Sequence, residues 1–205
     1  MKVRTVILAA GDFPKDGGEA RRLLAEADRV VACDSAADAY RRCFRKWPTV
    51  IVGDLDSIRS LPKRVETVRI AEQETNDLEK AIGLCERRGW KSPVIVGATG
   101  KCEDHAIGNV FRALEHGLEI VTDHGRFIPV EGKIRLQVWK GASISVFATD
   151  PKTKVVSKGL EWPLEGVRFG NLYCATSNRA TGKTVSLQTT RRVYVYVRNA
   201  GKGTR

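Results

Sequence analysis

Two carboxylates one residue apart, Asp54 and Asp56, follow a β-branched run in Thr49-Val50-Ile51-Val52-Gly53-Asp54-Leu55-Asp56-Ser57. The run reads as a buried strand ended by a glycine turn. Ligands of an α/β sheet bind just beyond the carboxyl ends of its strands, which puts both carboxylates at the mouth of a crevice. Close carboxylates repel each other unless a cation or a shared proton relieves them. Their hard oxygens suit Mg²⁺, which is commonly held by one or two carboxylates plus substrate phosphates. The same residues also fit a plain turn capping the next helix, where aspartate is common.

Other acidic positions fall at similar places. Asp34 directly follows the apolar run Arg29-Val30-Val31-Ala32-Cys33, and Asp77 opens a helix after Gln73-Glu74-Thr75-Asn76. Asp104-His105 opens another helix after Val96-Gly97-Ala98-Thr99-Gly100-Lys101-Cys102-Glu103. Each alone fits a helix cap or a first-turn carboxylate favoured by the helix dipole, and His105 alone fits a structural histidine. Together, Asp34, Asp54, Asp56, Asp77 and Asp104 share one expected sheet edge with a glycine loop, the pattern of a metal–polyphosphate site. The Gly97–Gly100 loop offers backbone N–H groups to phosphate, and Lys101 adds a charge. It is not a Walker A loop, because Ile95 and Cys102 stand where that motif needs glycine and Ser/Thr.

The elements that must position these groups are legible up to about residue 127. Short apolar runs over 3–9, 29–33, 49–52, 65–70, 93–97 and 118–122 alternate with helical patterns over 19–27, 36–45, 76–88 and 104–116. Leu78, Ala81, Ile82 and Cys85 share one helix face; Ile107, Phe111 and Leu114 are expected inward on the last helix. This alternation predicts an α/β domain over 1–127, a mostly parallel sheet with helices on both faces. Beyond it, helical periodicity stops and strand-like runs follow over 134–138, 142–148, 154–157, 184–189 and 192–197. They predict an all-β domain over 128–205, a sandwich or a partial barrel, ending in a frayed Gly- and Lys-rich tail. In this segment Gly159-Leu160-Glu161-Trp162-Pro163-Leu164 and Ala175-Thr176-Ser177-Asn178 stand out. Trp162 beside a proline fits either a stacking surface for a flat ring or a core tryptophan, and Ser177-Asn178 offers adaptable hydrogen bonds.

The chain has 205 residues, 42% hydrophobic and 29% charged, as in a globular protein with a real core. No run reaches membrane-span length and the N-terminus lacks the apolar core of a signal peptide. Cys33, Cys43, Cys85, Cys102 and Cys174 show no CxxC spacing, so a reduced, cytoplasmic compartment with mostly buried thiols is expected, and no zinc site. Net charge is +11, concentrated over 140–205, where 12 Lys/Arg face only Asp150, Glu161 and Glu165. Such a region suits a polyanion or a phosphorylated substrate, or is simply a solvated face. A nucleic-acid module is disfavoured, because few aromatics interleave with the basic residues and the acidic cluster would have no purpose. Aspartyl-phosphate phosphatases and D-x-D glycosyltransferases are weaker rivals: the former carry the motif on the first strand, the latter usually need a longer chain.

The motifs occur in the order seen in thiamine pyrophosphokinases. Val52-Gly53-Asp54-Leu55-Asp56-Ser57, Gln73–Ala81, Gly97–His105 with Asn109, Gly159–Leu164 and Ser177-Asn178 together resemble that family over almost the whole chain. The resemblance implies transfer of the β,γ-diphosphate of ATP to the hydroxyl of thiamine, giving thiamine diphosphate and AMP. It implies Mg²⁺ as cofactor and a homodimer whose site is shared between the α/β domain of one subunit and the β domain of the other. Carried over by position, Asp34, Asp54, Asp56 and Asp77 form the catalytic acidic cluster, with Asp54, Asp56 and Asp77 on the metal. Gln73, Thr75, Gly100, Lys101, Asp104 and His105 serve ATP; Trp162, Ser177 and Asn178 serve thiamine. Two departures stand out: Cys102 replaces the family's usual arginine, and Ser35 follows Asp34 where glycine is frequent.

Overall fold

The computed structural model describes residues 4–58 and 62–199. The chain forms two compact units, Met1–Asp123 and His124–Arg205; the sequence pattern placed the change at 127/128. Val3 and the expected frayed tail beyond Asn199 lie outside the described residues.

The first unit alternates strands and helices: β1 (Thr5–Leu8), α1 (Glu19–Ala25), β2 (Arg29–Cys33), α2 (Ala36–Phe44), β3 (Val50–Gly53), β4 (Glu66–Arg69), α3 (Asp77–Arg87), β5 (Val94–Val96), α4 (Glu103–Glu115) and β6 (Glu119–Val121). Every strand pairing within it is parallel, in the spatial order β6-β5-β1-β2-β3-β4. The short apolar strands are buried on both faces, as a helix-covered parallel sheet requires. Val6, Leu8 and Val30 pack with Ala20 and Leu24 of α1 and with Ala36 and Tyr40 of α2. Ile7 alternates to the other face and is fully buried. α3 packs against β1, β2 and β3, burying Leu78, Ala81, Ile82 and Cys85 as their spacing predicts.

The second unit is antiparallel: β7 (Gly125–Gln137), β8 (Ser143–Phe147), β9 (Val155–Lys158), β10 (Asn178–Arg179) and β11 (Thr184–Arg198). β11 pairs with β7 along its length, with β9 on its first half and with β8 on its second. A register shift between Thr189 and Val193 separates the halves, a bulge that bends and twists the strand. Val130, Ile144, Val146, Val155, Val185, Leu187, Val193 and Val195 build one buried core.

Two expectations need correction. Ile107 is 60% exposed rather than inward. Asn109 takes the inward position on α4: its amide donates to the Ala98 carbonyl at 3.0 Å and its Oδ1 accepts from Asn76 Nδ2 at 3.0 Å. Satisfying those buried polar groups rotates the helix away from its apolar pattern. Among the cysteines, only Cys33 and Cys85 are buried; Cys43 is half-buried and Cys102 and Cys174 are exposed.

Asn76 also caps α3, its Oδ1 accepting from the Glu79 N–H at 3.0 Å. One side chain therefore ties the start of α3 to α4, and through Asn109 to the loop after β5. Asn76→Ala removes the cap and strands the Asn109 acceptor. It is expected to cost about 2–4 kcal/mol, read as a lower urea midpoint; an unchanged midpoint would contradict this role.

Candidate active site

The site starts where adjacent strands end. Parallel pairing sets Cys33 opposite Val52, so Asp34 leaves the sheet beside Gly53 and Asp54 follows one residue later. The Asp34 N–H donates to the Val52 carbonyl at 2.9 Å, fixing that exit. Asp34 adopts φ 39°, in the left-handed region, which Asp tolerates better than most non-glycine residues. At Gly53 (φ 153°) an added Cβ would lie 3.1 Å from Asp34 Cβ and 3.1 Å from Asp77 Oδ1. The glycine is the space into which two acidic residues close.

Asp34, Asp54 and Asp56 each bring a carboxylate oxygen within 4.8 Å of the others. Asp34 is buried; its Oδ2 accepts from the Ser57 N–H at 3.2 Å, while its Oδ1, among the described residues, finds no partner. A buried, unsatisfied carboxylate oxygen is costly unless something electropositive meets it. Burial lifts the Asp34 carboxyl above its ordinary range, and the charges of Asp77 and Asp54 push the same way, against the Ser57 hydrogen bonds. Asp54 goes the other way. Gln73 Nε2 donates to its Oδ2 at 3.2 Å and the Asp56 N–H to its Oδ1 at 3.3 Å, holding it ionised below the usual value. The turn reading of Asp54 is thus correct locally, and the turn is what aims Asp56.

Asp77 lies beside this trio rather than in it. Its carboxyl is raised by burial and by Asp54 and Asp56, and lowered by Lys80, whose Nζ is 3.6 Å from Asp77 Oδ1. Lys80 is itself buried. The Cys33 thiol donates to the Asp77 carbonyl at 3.4 Å, and burial keeps that thiol protonated. Donor chemistry and the orphaned Asp34 oxygen fit a hard divalent cation at Asp34, Asp54 and Asp56. The sequence reading had Asp77 in place of Asp34.

A cleft of about 240 Å³ opens beside the acids, its walls including Asp54, Gln73, Thr75, Asp77, Gly100, Lys101 and His105. Glu72 organises the Gln73–Thr75 bend, accepting from the N–H groups of Glu74 at 2.7 Å and Thr75 at 3.0 Å and from the Thr75 hydroxyl. Opposite, the Gly97–Gly100 loop is stitched to the loop after β1: Gly11 N–H to Gly97 O at 2.8 Å and Asp12 N–H to Thr99 O at 2.8 Å. At Gly100 (φ 83°) a Cβ would fall 2.1 Å from Asp12 Oδ2, so only glycine fits. Asp104 is exposed and accepts from the His105 N–H at 2.8 Å; it is not among the residues lining the cleft.

Sequence reading missed Lys80 and Asp12. Lys80, three residues after Asp77 in a helix with an apolar face, was the available signal for the first; Gly100 hid the second, since only the folded chain brings Asp12 against it.

In the second unit, Trp162 is 54% exposed, not core. Asn178 holds its loop from both sides, Nδ2 donating to the Trp162 carbonyl at 2.6 Å and Oδ1 accepting from the Trp162 N–H at 3.2 Å. Ser177 (φ 57°) is exposed, and its N–H donates to Ser145 Oγ at 3.0 Å. Trp162 and Ser177 are therefore exposed on either side of buried Asn178, whose amide is spent on positioning.

The family model "Thiamin pyrophosphokinase, catalytic domain" matches residues 20–122, and "Thiamin pyrophosphokinase, substrate-binding domain" matches residues 125–196. The chain belongs to the thiamin pyrophosphokinase family. Thiamin pyrophosphokinase 1 of Caenorhabditis elegans is 26% identical over 191 residues, 82% of this chain and 78% of the relative. The fold matches the solved thiamin pyrophosphokinase of Geobacillus thermodenitrificans with TM-score 0.75 at 17% identity, over 98% of this chain and 99% of the other. The enzyme from Candida albicans matches with TM-score 0.73 at 14% identity, over 96% and 89%.

Because folding raises the Asp34 pKa, its penalty is absent below the unfolded value of about 3.9 and grows as pH rises through the folded one. Asp34→Asn keeps the shape and tolerates positive φ. We expect it to raise the melting temperature at pH 7 in EDTA, to lose that advantage near pH 3, and to abolish stabilisation by added Mg²⁺. A variant less stable than wild type in EDTA at pH 7 would contradict the account.

Proposed function

We propose that this chain transfers the β,γ-diphosphate of ATP to the hydroxyl of thiamine, giving thiamine diphosphate and AMP. The observation that carries the reading is the convergence of Asp34, Asp54 and Asp56 around an unsatisfied buried oxygen, in a chain of this family. Mg²⁺ at those carboxylates supplies charge neutralisation to the transferred phosphates. The chain's own residues do the rest. Gln73, Thr75, Gly100, Lys101 and His105 receive the nucleotide, with Asp104 setting the first turn of α4. The thiamine hydroxyl attacks the β-phosphorus, the bond to the α–β bridging oxygen breaks, and AMP leaves with that oxygen. The hydroxyl proton passes to a carboxylate of the cluster.

Trp162 stacks on the pyrimidine of thiamine, Ser177 hydrogen-bonds it, and Asn178 holds the tryptophan loop in place. We read the second unit as a β-sandwich that supplies this surface, in a cytoplasmic homodimer whose sites each draw on both subunits. Among the described residues no helix is long and apolar enough to cross a membrane.

Incubation with ATP, Mg²⁺ and thiamine should release AMP in step with thiamine diphosphate. ADP as the nucleotide product would mean ordinary phosphoryl transfer and would overturn the reading. Trp162→Ala should raise the thiamine KM about tenfold or more, the scale of a lost stacking contact, with the ATP KM within about twofold. Equal rises in both would remove Trp162 from the thiamine site.

A further inference from the structure

Glu72 closes a small loop around its own carboxylate. Its Oε2 accepts from the N–H groups of Glu74 at 2.7 Å and Thr75 at 3.0 Å, and its Oε1 accepts from the Thr75 hydroxyl. With two amides on one oxygen and a hydroxyl on the other, the carboxylate is spent inside the loop. The Thr75 hydroxyl, and after it the two amides, hold the Glu72 carboxyl below its ordinary range. An ionised carboxylate has no proton to give, so the single hydroxyl hydrogen of Thr75 points at Glu72.

That bond fixes what Thr75 can offer the cleft, which it lines together with Asp54, Gln73 and Asp77. A threonine hydroxyl has one donor and two acceptor lone pairs. Its donor is taken, so only lone pairs remain. The neighbours on this wall lean the same way. Asp54 and Asp77 bring carboxyl oxygens, and Gln73 has already given an amide hydrogen to Asp54 Oδ2 at 3.2 Å. A phosphate oxygen brought to Thr75 would set lone pairs against lone pairs, beside two acids that repel its charge. An N–H or O–H group would find a ready acceptor there.

We infer that Glu72 is a positioning residue that makes Thr75 a one-way acceptor for an N–H or O–H donor of a bound substrate, and not a phosphate contact. The inference rests on the diphosphotransfer reading above, which supplies the two sources of that donor. ATP carries it on the ribose hydroxyls and the adenine amino group, thiamine on its amino group and its hydroxyl. In either case this wall of the cleft reads the organic part of a substrate. Glu72 is not among the residues lining the cleft; it acts through Thr75.

Glu72→Gln isolates this polarity. The new carbonyl oxygen still accepts both backbone N–H groups, so the loop and the melting temperature should hold. The new amide N–H donates to Thr75 Oγ1 and frees the hydroxyl hydrogen. Calorimetric titration of the full chain with ATP, with thiamine and with tripolyphosphate, each with Mg²⁺, reads the result. Glu72→Gln should weaken one of the two organic substrates by about fivefold or more, the scale of a lost hydrogen bond, and leave the other and tripolyphosphate within about twofold. The substrate that weakens is the source of the donor. Thr75→Val should weaken that same substrate, and adding Glu72→Gln to it should change its affinity by less than about twofold. Unchanged affinities in Glu72→Gln, equal losses for both substrates, tighter tripolyphosphate, losses that add in the double variant, or a wild type that binds neither substrate would each overturn the proposal. If the selective loss is found but the wild type yields no AMP from ATP and thiamine, the role of Glu72 stands and the diphosphotransfer reading falls; AMP formed with affinities unchanged in Glu72→Gln means the reverse.

Discussion

Carboxylates that crowd one another at the end of a parallel sheet are the constraint on which the first unit is built. β2 and β3 run side by side, and each hands the chain to an aspartate, Asp34 level with Gly53 and Asp54 one residue beyond. α3 then delivers Asp77 against the same point, with only the absent side chain of Gly53 making room. Coulomb repulsion and burial both oppose such an arrangement. Its consequences are visible in the raised carboxyls of Asp34 and Asp77 and in the buried oxygen without a partner. A fold that carries this cost suits a ligand of opposite charge, which under the proposed function is a divalent cation bearing a polyphosphate.

Holding the acids in place needs a stiff frame, and the frame is made of small polar links. Asn76 caps α3 and holds Asn109; Asn109 holds Ala98; the loop beyond Ala98 is sewn to the loop after β1 by backbone hydrogen bonds. Gly100 can approach Asp12 only because it has no Cβ. These contacts bind together the strand ends, the helix starts and the glycine loop. A shift in one of them is felt at the cleft.

Much of this was legible in the sequence. β-branched runs of strand length and helical spacing on α3 gave the parallel unit, because both signals reflect burial directly. The acidic positions were legible because strand ends are where α/β folds place ligands. What could not be read was side-chain geometry. The resemblance put Asp34 in the acidic cluster and Asp54, Asp56 and Asp77 on the metal; that the carboxylate oxygens of Asp34, Asp54 and Asp56 lie within 4.8 Å of one another is visible only once the chain is folded. Ile107 looked inward because apolar spacing ignores the polar demand that turns Asn109 to the interior. Trp162 stood between surface and core until the Asn178 bonds were seen to hold its loop outward. Lys80 was easy to pass over, since a lysine on a helix usually means solvent, although its place three residues after Asp77 was a signal. The thiamine assignment came from the ordered motifs taken as a set; charge and periodicity reached only a metal and a phosphate.

The most direct test is a crystal structure of this chain with Mg²⁺ and a non-hydrolysable ATP analogue. The account predicts a cation coordinated by carboxylate oxygens of Asp34, Asp54 and Asp56, with the orphaned Asp34 oxygen engaged and the triphosphate reaching that cation. A triphosphate seated elsewhere, or a cation bound away from those three carboxylates, would contradict it.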